Sequence, residues 1–301
     1  MNAIATQTFL LLAFLLLSMP TASALPTVTA TYSPNWSGYV ATASGPYTLV
    51  SANWTVPSVS TPSPPAYSSI WVGIGGWYSN SNRLIQVGTD QDVLNNGSAV
   101  YYAWREIYPS LAVPIANVSP GDSIAVILSQ VSENASRWQM LMIRNSATLL
   151  NITIRTRVNL ASEDSADFIV ERPAIFVGRK EQLTALADFK TVTFSNCNTN
   201  QGSLASLTSV AAVVMSGANA SSVGEDLAEP TMLDPSTNSF SVQYSGASQS
   251  IPEFPGYLVV MVVFLISSLY ALKLISRNKL RLVTLRRQSA AEHSIRPNSW
   301  E

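Results

Sequence analysis

The usual nucleophile–base pairs are missing from most of this chain, and that absence narrows the chemistry its side chains could do. Residues 25 to 256 contain no histidine and one cysteine, Cys197; the single histidine, His293, follows a long apolar stretch. Ser-His and Cys-His nucleophiles need an imidazole base, and zinc sites draw on His and Cys, so both classes lose their ordinary parts. Carboxylate, carboxamide, hydroxyl and aromatic chemistry remain. An enzyme of this composition moves its protons with a carboxylate and is expected to need no metal or cofactor.

Alternation along strands separates the groups that are presented from those that are packed. In Leu84-Ile85-Gln86-Val87-Gly88, Ile85 and Val87 form an apolar side and Gln86 points the other way, with Asp90 further along. In Asp167 to Glu171, Phe168 and Val170 form the apolar side, and Glu171 shares a face with Asp167 and Ile169. Between Tyr101 and Tyr108, one face carries Tyr102, Trp104, Glu106 and Tyr108. Taken singly, each is compatible with a solvated or packed strand position. Together they outline a cleft suited to a polymer.

The elements that hold these faces are almost all strands, marked by β-branched and aromatic residues between turn clusters. Strands are predicted at 47–56, 69–74, 84–88, 100–108, 123–128, 138–143, 149–157, 168–171, 191–194, 207–215 and 240–244, and one brief helix over Glu181 to Asp188. So many strands in a single cysteine-poor domain predict two antiparallel sheets packed face to face.

The ends predict location. Phe9 to Leu17 is an apolar core too short to span a bilayer, followed by small residues at Ala22-Ser23-Ala24, so residues 1–24 read as a signal peptide. A β-sandwich ectodomain over 25–246 and a Ser-, Gly- and Pro-rich stalk over 247–256 follow. Residues 257–275 are long enough, at ~1.5 Å per residue, to cross a membrane as a helix. Residues 276–301 form a basic tail. Residues 25–256 hold 10 Lys and Arg against 16 Asp and Glu, whereas 257–301 hold 7 against 2. The basic side stays in the cytoplasm, which places the ectodomain outside the cell, on a single-pass anchor. An acidic ectodomain is a poor nucleic-acid binder. Seven Asn-x-Ser/Thr sequons, at Asn35, Asn53, Asn96, Asn117, Asn134, Asn151 and Asn219, precede the span and suit a glycosylated exterior, the first two least because they sit in strand-like text.

Seven segments occur in an order that resembles the glutamic peptidases, or eqolisins. They are Asn35-Trp36-Ser37-Gly38-Tyr39, Trp54-Thr55-Val56-Pro57, Trp71 to Gly76, Leu84 to Gly88, Tyr101 to Glu106, Pro120-Gly121-Asp122 and Ala166 to Glu171. The resemblance implies a concanavalin A-like β-sandwich of two seven-stranded sheets and a Gln-Glu catalytic pair falling on Gln86 and Glu171. It implies substrate-binding roles for Trp36, Trp104 and Glu106, with Asp90 and Tyr102 assigned to the same cleft. A monomer acting on polypeptides at acidic pH follows from it. Ile251-Pro252-Glu253-Phe254-Pro255 ahead of the span resembles anchors of archaeal surface proteins, pointing to a prokaryotic member.

Two positions depart from the family pattern. Gly75 and Tyr102 stand where many members have Asp, removing two carboxylates from near the cleft. Their loss either raises the working pH or marks a module that binds without cleaving. The alternatives to an endopeptidase are therefore a silent glycan- or polymer-binding sandwich using Trp36, Tyr102, Trp104 and Tyr108, and a glycoside hydrolase pairing Glu171 with Glu106 or Asp90.

Overall fold

The structure is a computed structural model that describes residues 27–42, 46–78, 83–131, 136–156, 165–177, 180–217 and 226–245. The predicted signal peptide, stalk, membrane span and basic tail lie outside the described residues, as do the sequons at Asn134 and Asn219. Among the described residues no helix is long and apolar enough to cross a membrane.

The chain runs through β1 (Thr27–Ser33), β2 (Trp36–Ala41), β3 (Leu49–Thr55), β4 (Ala66–Gly75), β5 (Leu84–Val93) and β6 (Ala99–Tyr108). It continues through β7 (Val113–Asn117), β8 (Ser123–Gln130), β9 (Arg137–Arg144), β10 (Ala147–Arg155), β11 (Ala166–Glu171) and β12 (Ala174–Val177). It closes with β13 (Lys180–Leu183), β14 (Thr191–Thr199), β15 (Gly202–Ser203), β16 (Ser209–Ser216), β17 (Asp226–Pro230) and β18 (Phe240–Tyr244). The fold is all-β, and each strand predicted from alternation has a counterpart.

Hydrogen bonding joins the strands in one path, β10-β9-β8-β3-β14-β18-β17-β16-β2-β11-β4-β5-β6-β7, with β1 added to β16 and β15 to β14. A division into two separate seven-stranded sheets is therefore not what the ladders form. The reason lies in β14, whose first half, Thr191 to Phe194, pairs with β18 while its second half, from Ser195, pairs with β3 across a register break. The pairs are antiparallel except β1 with β16, which is parallel.

Alternate residues of the two arms meet in one core. Val50, Ala52 and Trp54 of β3, Ile124, Val126 and Leu128 of β8, and Trp138, Met140 and Met142 of β9 cluster with Ile70, Val72 and Ile74 of β4, Ile85 and Val87 of β5, and Phe168 and Val170 of β11. Burying side chains of this kind contributes roughly 1.5–3 kcal/mol each. A polar tie crosses the same core: Trp54 Nε1 donates to Thr89 Oγ1 at 3.1 Å, and Gln91 Nε2 donates to the same oxygen at 2.7 Å.

The helix expected over Glu181 to Asp188 does not form. Lys180–Leu183 is strand β13, which pairs with β12 in a separate two-stranded sheet. Beyond it, Ala185, Leu186, Ala187 and Phe189 are all buried, so no helical stripe separates wet from dry. The backbone is instead extended: Tyr67 N donates to Ala185 O, Ala187 N to Tyr67 O, and Asp188 N to Ser60 O. The Ala- and Leu-rich text mimics helix propensity, which tertiary pairing overrides.

Candidate active site

Five strands place the polar groups of this chain on the face opposite the core. Register sets them in rows: Trp36 of β2, Glu171 of β11, Ser69 of β4, Asp90 of β5 and Tyr102 of β6 face one another in sequence. The next row is Gly38, Ile169, Trp71, Gly88 and Trp104, and the third is Val40, Asp167, Gly73, Gln86 and Glu106. Val40, Trp71, Leu84, Trp104, Ile169, Ala211 and Val213 form a second apolar cluster beneath the polar groups, with Trp36, Trp77 and Tyr102 packed on it.

Gly88 makes the middle row possible. A Cβ there would lie 2.4 Å from Ile70 O, 2.6 Å from Trp71 Cβ and 3.0 Å from Trp104 Cζ2. The gap it leaves lets two indoles flank one backbone position. Trp36 meets Trp71 edge-on, with centroids 5.0 Å apart and planes at 78°.

Glu171 is held from both sides. Asn35 Nδ2 donates to Oε1 at 3.0 Å, and Trp71 Nε1 donates to Oε2 at 2.8 Å. Burial of the carboxyl outweighs these donors and a further one from Trp36, and with repulsion from Glu106 pushes its pKa up from 4.5 to about 7. Three donors leave one of the four acceptor sites of the carboxylate open. The group can therefore exchange a proton near neutral pH while its orientation stays fixed.

Gln86 is 5% exposed and its Nε2 donates to Glu106 Oε2 in a short hydrogen bond. Its Oε1 is buried and meets no donor among the described residues. The carboxamide thus retains one N–H and one oxygen for a reacting group. Burial, with repulsion from Asp90, raises the Glu106 pKa, against the lowering effect of the Gln86 donor. Gln86 and Glu171 share a face, two rows and two strands apart, and no described hydrogen bond joins them.

The other residues marked from the sequence occupy the same face in different states. Trp104 is 4% exposed, in the floor rather than on a free surface, and its Nε1 has no acceptor with hydrogen-bond geometry among the described residues. Asp90 accepts a short hydrogen bond from Ser69 Oγ and one of 2.7 Å from Tyr102 Oη, so both oxygens are engaged within the protein. Tyr108 is exposed at the rim.

Asn35, Trp71, Ser69 and Asp92 carry no site assignment from the sequence. Asn35 reads as a sequon, yet its amide is spent on Glu171. The only available signal is its place beside Trp36 in a family segment.

A family model described as the Peptidase A4 family matches residues 34–244. Aspergillopepsin-2 from Aspergillus niger is 31% identical over 195 residues, a match covering 57% of this chain and 66% of the relative. Scytalido-glutamic peptidase, solved with a peptide-based transition state analog and with a transition state analog inhibitor, has 23% identity to this chain and TM-scores of 0.52 and 0.53. Each match covers 70% of this chain and 98% of that one, and at such identity it establishes a common fold. SCP-B, described as a member of the Eqolisin family and solved with the tripeptide Ala-Ile-His, is 22% identical with a TM-score of 0.50.

Proposed function

This chain belongs to the Peptidase A4 family, and from that premise we propose that it is a glutamic endopeptidase in which Glu171 transfers protons and Gln86 polarises the scissile carbonyl. The observation that carries this reading is a carboxyl group raised to about 7 and clamped by Asn35 and Trp71, on one face with a buried carboxamide whose oxygen meets no donor among the described residues.

Below its pKa, Glu171 begins as the acid. It protonates the carbonyl oxygen as water attacks the carbon, and the attacking water returns a proton to the carboxylate. The resulting diol collapses as Glu171 passes that proton to the amine nitrogen, the C–N bond breaks, and one hydroxyl proton restores the carboxyl. Atoms balance as one water consumed per bond. The free N–H of Gln86 donates to the same carbonyl oxygen and polarises it for attack, an interaction of the oxyanion-hole kind worth ~2.7–4 kcal/mol. Glu106, holding the other N–H, keeps the carboxamide turned toward the substrate. Trp36 contributes to the wall behind Glu171.

The core shared between the β3–β8–β9 arm and the β2–β11–β4–β5 arm supports a two-layer sandwich. The apolar ends and the charge asymmetry support an exported ectodomain on a single C-terminal anchor, and membership of a peptidase family supports polypeptide substrates. The test is cleavage of a denatured protein by the purified chain from acidic to neutral pH, with chelators and with serine- and cysteine-directed reagents. Cleavage insensitive to all of these is expected. Loss with a chelator, restored by added metal, would sink the dyad.

A further inference from the structure

Beyond Gln86, Glu106 and Glu171, the same face carries a second set of ionisable groups that the reaction does not use. Asp90 and Asp92 stand two residues apart on β5, and Tyr102 Oη lies 2.7 Å from Asp90 Oδ2 and 3.3 Å from Asp92 Oδ2. A phenol has one proton and can satisfy only one carboxylate. Asp90 has the better claim, since it takes the shorter bond and its other oxygen accepts from Ser69. Asp92 is 5% exposed, and its Oδ1 meets no donor among the described residues.

Two anions here would be poorly matched to their surroundings. Among the described residues, no Lys, Arg or His lies on this face of β4, β5, β6 or β11, where the ionisable and polar groups are Tyr67, Ser69, Gln86, Asp90, Asp92, Tyr102, Glu106, Tyr108, Asp167 and Glu171. An ionised Asp92 would leave one bare buried oxygen beside a second negative charge. A neutral Asp92 removes the second charge and leaves the bare Oδ1 as an uncharged carbonyl, because its Oδ2–H donates to Tyr102 and Tyr102 in turn donates to Asp90. Burial and the charge of Asp90 raise the Asp92 pKa to about 8, whereas Asp90 is raised only to about 6, which agrees with that order.

Ser69 connects this chain of hydrogen bonds to the reaction. It is the register partner of both Glu171 and Asp90, and its one proton goes to Asp90. We propose that Tyr102 and Asp92 are positioning residues for Glu171: a protonated Asp92 donates to Tyr102, Tyr102 fixes the negative charge on Asp90, and Asp90 keeps the Ser69 hydroxyl off the Glu171 carboxyl. A Ser69 hydroxyl freed from Asp90 can turn to Glu171, stabilise its anion and make it a weaker proton carrier near neutral pH. Tyr102 thereby places a donor, and no further charge, between the two aspartates.

This inference rests on Glu171 as the proton-transfer group, and its test has one arm that does not depend on activity. Infrared spectra of wild type and Asp92→Asn at neutral pH should differ by one protonated buried carboxyl band, present only in the wild type. In the second arm, Tyr102→Phe should move the alkaline limb of kcat/KM to lower pH by roughly 0.5–1 unit, the equivalent of one hydrogen bond gained by the Glu171 carboxylate. The carboxamide introduced by Asp92→Asn still offers an N–H to Tyr102, so that variant should leave the limb in place. An unchanged carboxyl band in Asp92→Asn, or lowered activity in Tyr102→Phe with an unmoved limb, would overturn the proposal. If Glu171→Gln retained full activity while the Asp92 band behaved as stated, the assignment of Glu171 would fail and the proton on Asp92 would stand.

Discussion

Glu171→Gln separates the chemistry of this carboxyl from its cost to the fold. The carboxyl titrates near 7 in the folded chain against an ordinary 4.5, a difference of about 2.5 units. At ~1.36 kcal/mol per unit this is about 3 kcal/mol. The folded pKa is raised, so the stabilising contribution is complete below pH 4.5 and disappears as pH rises through about 7. A carboxamide in its place does not titrate, so the variant escapes that loss. Its N–H must face Asn35 Nδ2 or Trp71 Nε1, both donors, which adds a pH-independent destabilisation of about 1–3 kcal/mol. Unfolding of both proteins, followed in urea or by heating from about pH 4 to about pH 8, should show the variant gaining about 3 kcal/mol relative to wild type across that range. For a domain of this size the gain is roughly 6–12 °C in Tm. Titration of Asp90, Asp92 and Glu106 is common to both proteins and largely cancels in the difference. A stability difference that stayed constant with pH would refute the claim that burial raises this carboxyl.

Other perturbations probe the remaining parts. Gln86→Ala should lower kcat about a hundred- to a thousand-fold with the far-ultraviolet spectrum unchanged, whereas Glu106→Gln should lower it less, and the reverse ranking in steady-state kinetics would favour two essential carboxyl groups. Trp71→Phe removes the 2.8 Å donor from Glu171, so the alkaline limb of the pH–rate profile should move to higher pH, and an unmoved limb would deny Trp71 that role. Gly88→Ala places a Cβ 2.4 Å from Ile70 O, and overpacking of that kind should destabilise by about 1–3 kcal/mol or more, measured by urea unfolding.

Much of this site is legible in the sequence because strand alternation is strict. Ile85 and Val87 do pack in the core while Gln86 lies on the other face, and Phe168 and Val170 separate from Ile169 and Glu171 in the same way. What alternation cannot convey is register between strands distant in the chain. Ser69 stands between Glu171 and Asp90 only because β4 lies between β11 and β5, and Asn35 reaches Glu171 across 136 positions of sequence. The far half of β5 escapes a sequence reading for a different reason. Asp90, Gln91 and Asp92 are poor strand formers, yet the strand continues to Val93, where Gln91 Nε2 and Trp54 Nε1 both donate to Thr89 Oγ1 inside the core. The join between the two predicted sheets is equally hidden, because it depends on β14 serving two neighbours in succession.

The most direct measurement is a single-turnover experiment with peptide and an excess of either wild-type or Glu171→Gln protein at mildly acidic pH, followed by mass spectrometry. Wild type should convert the peptide completely, while Glu171→Gln should bind it, by fluorescence of the cleft tryptophans, and return it intact. Cleavage by Glu171→Gln at the wild-type rate would contradict the assignment of proton transfer to this carboxyl.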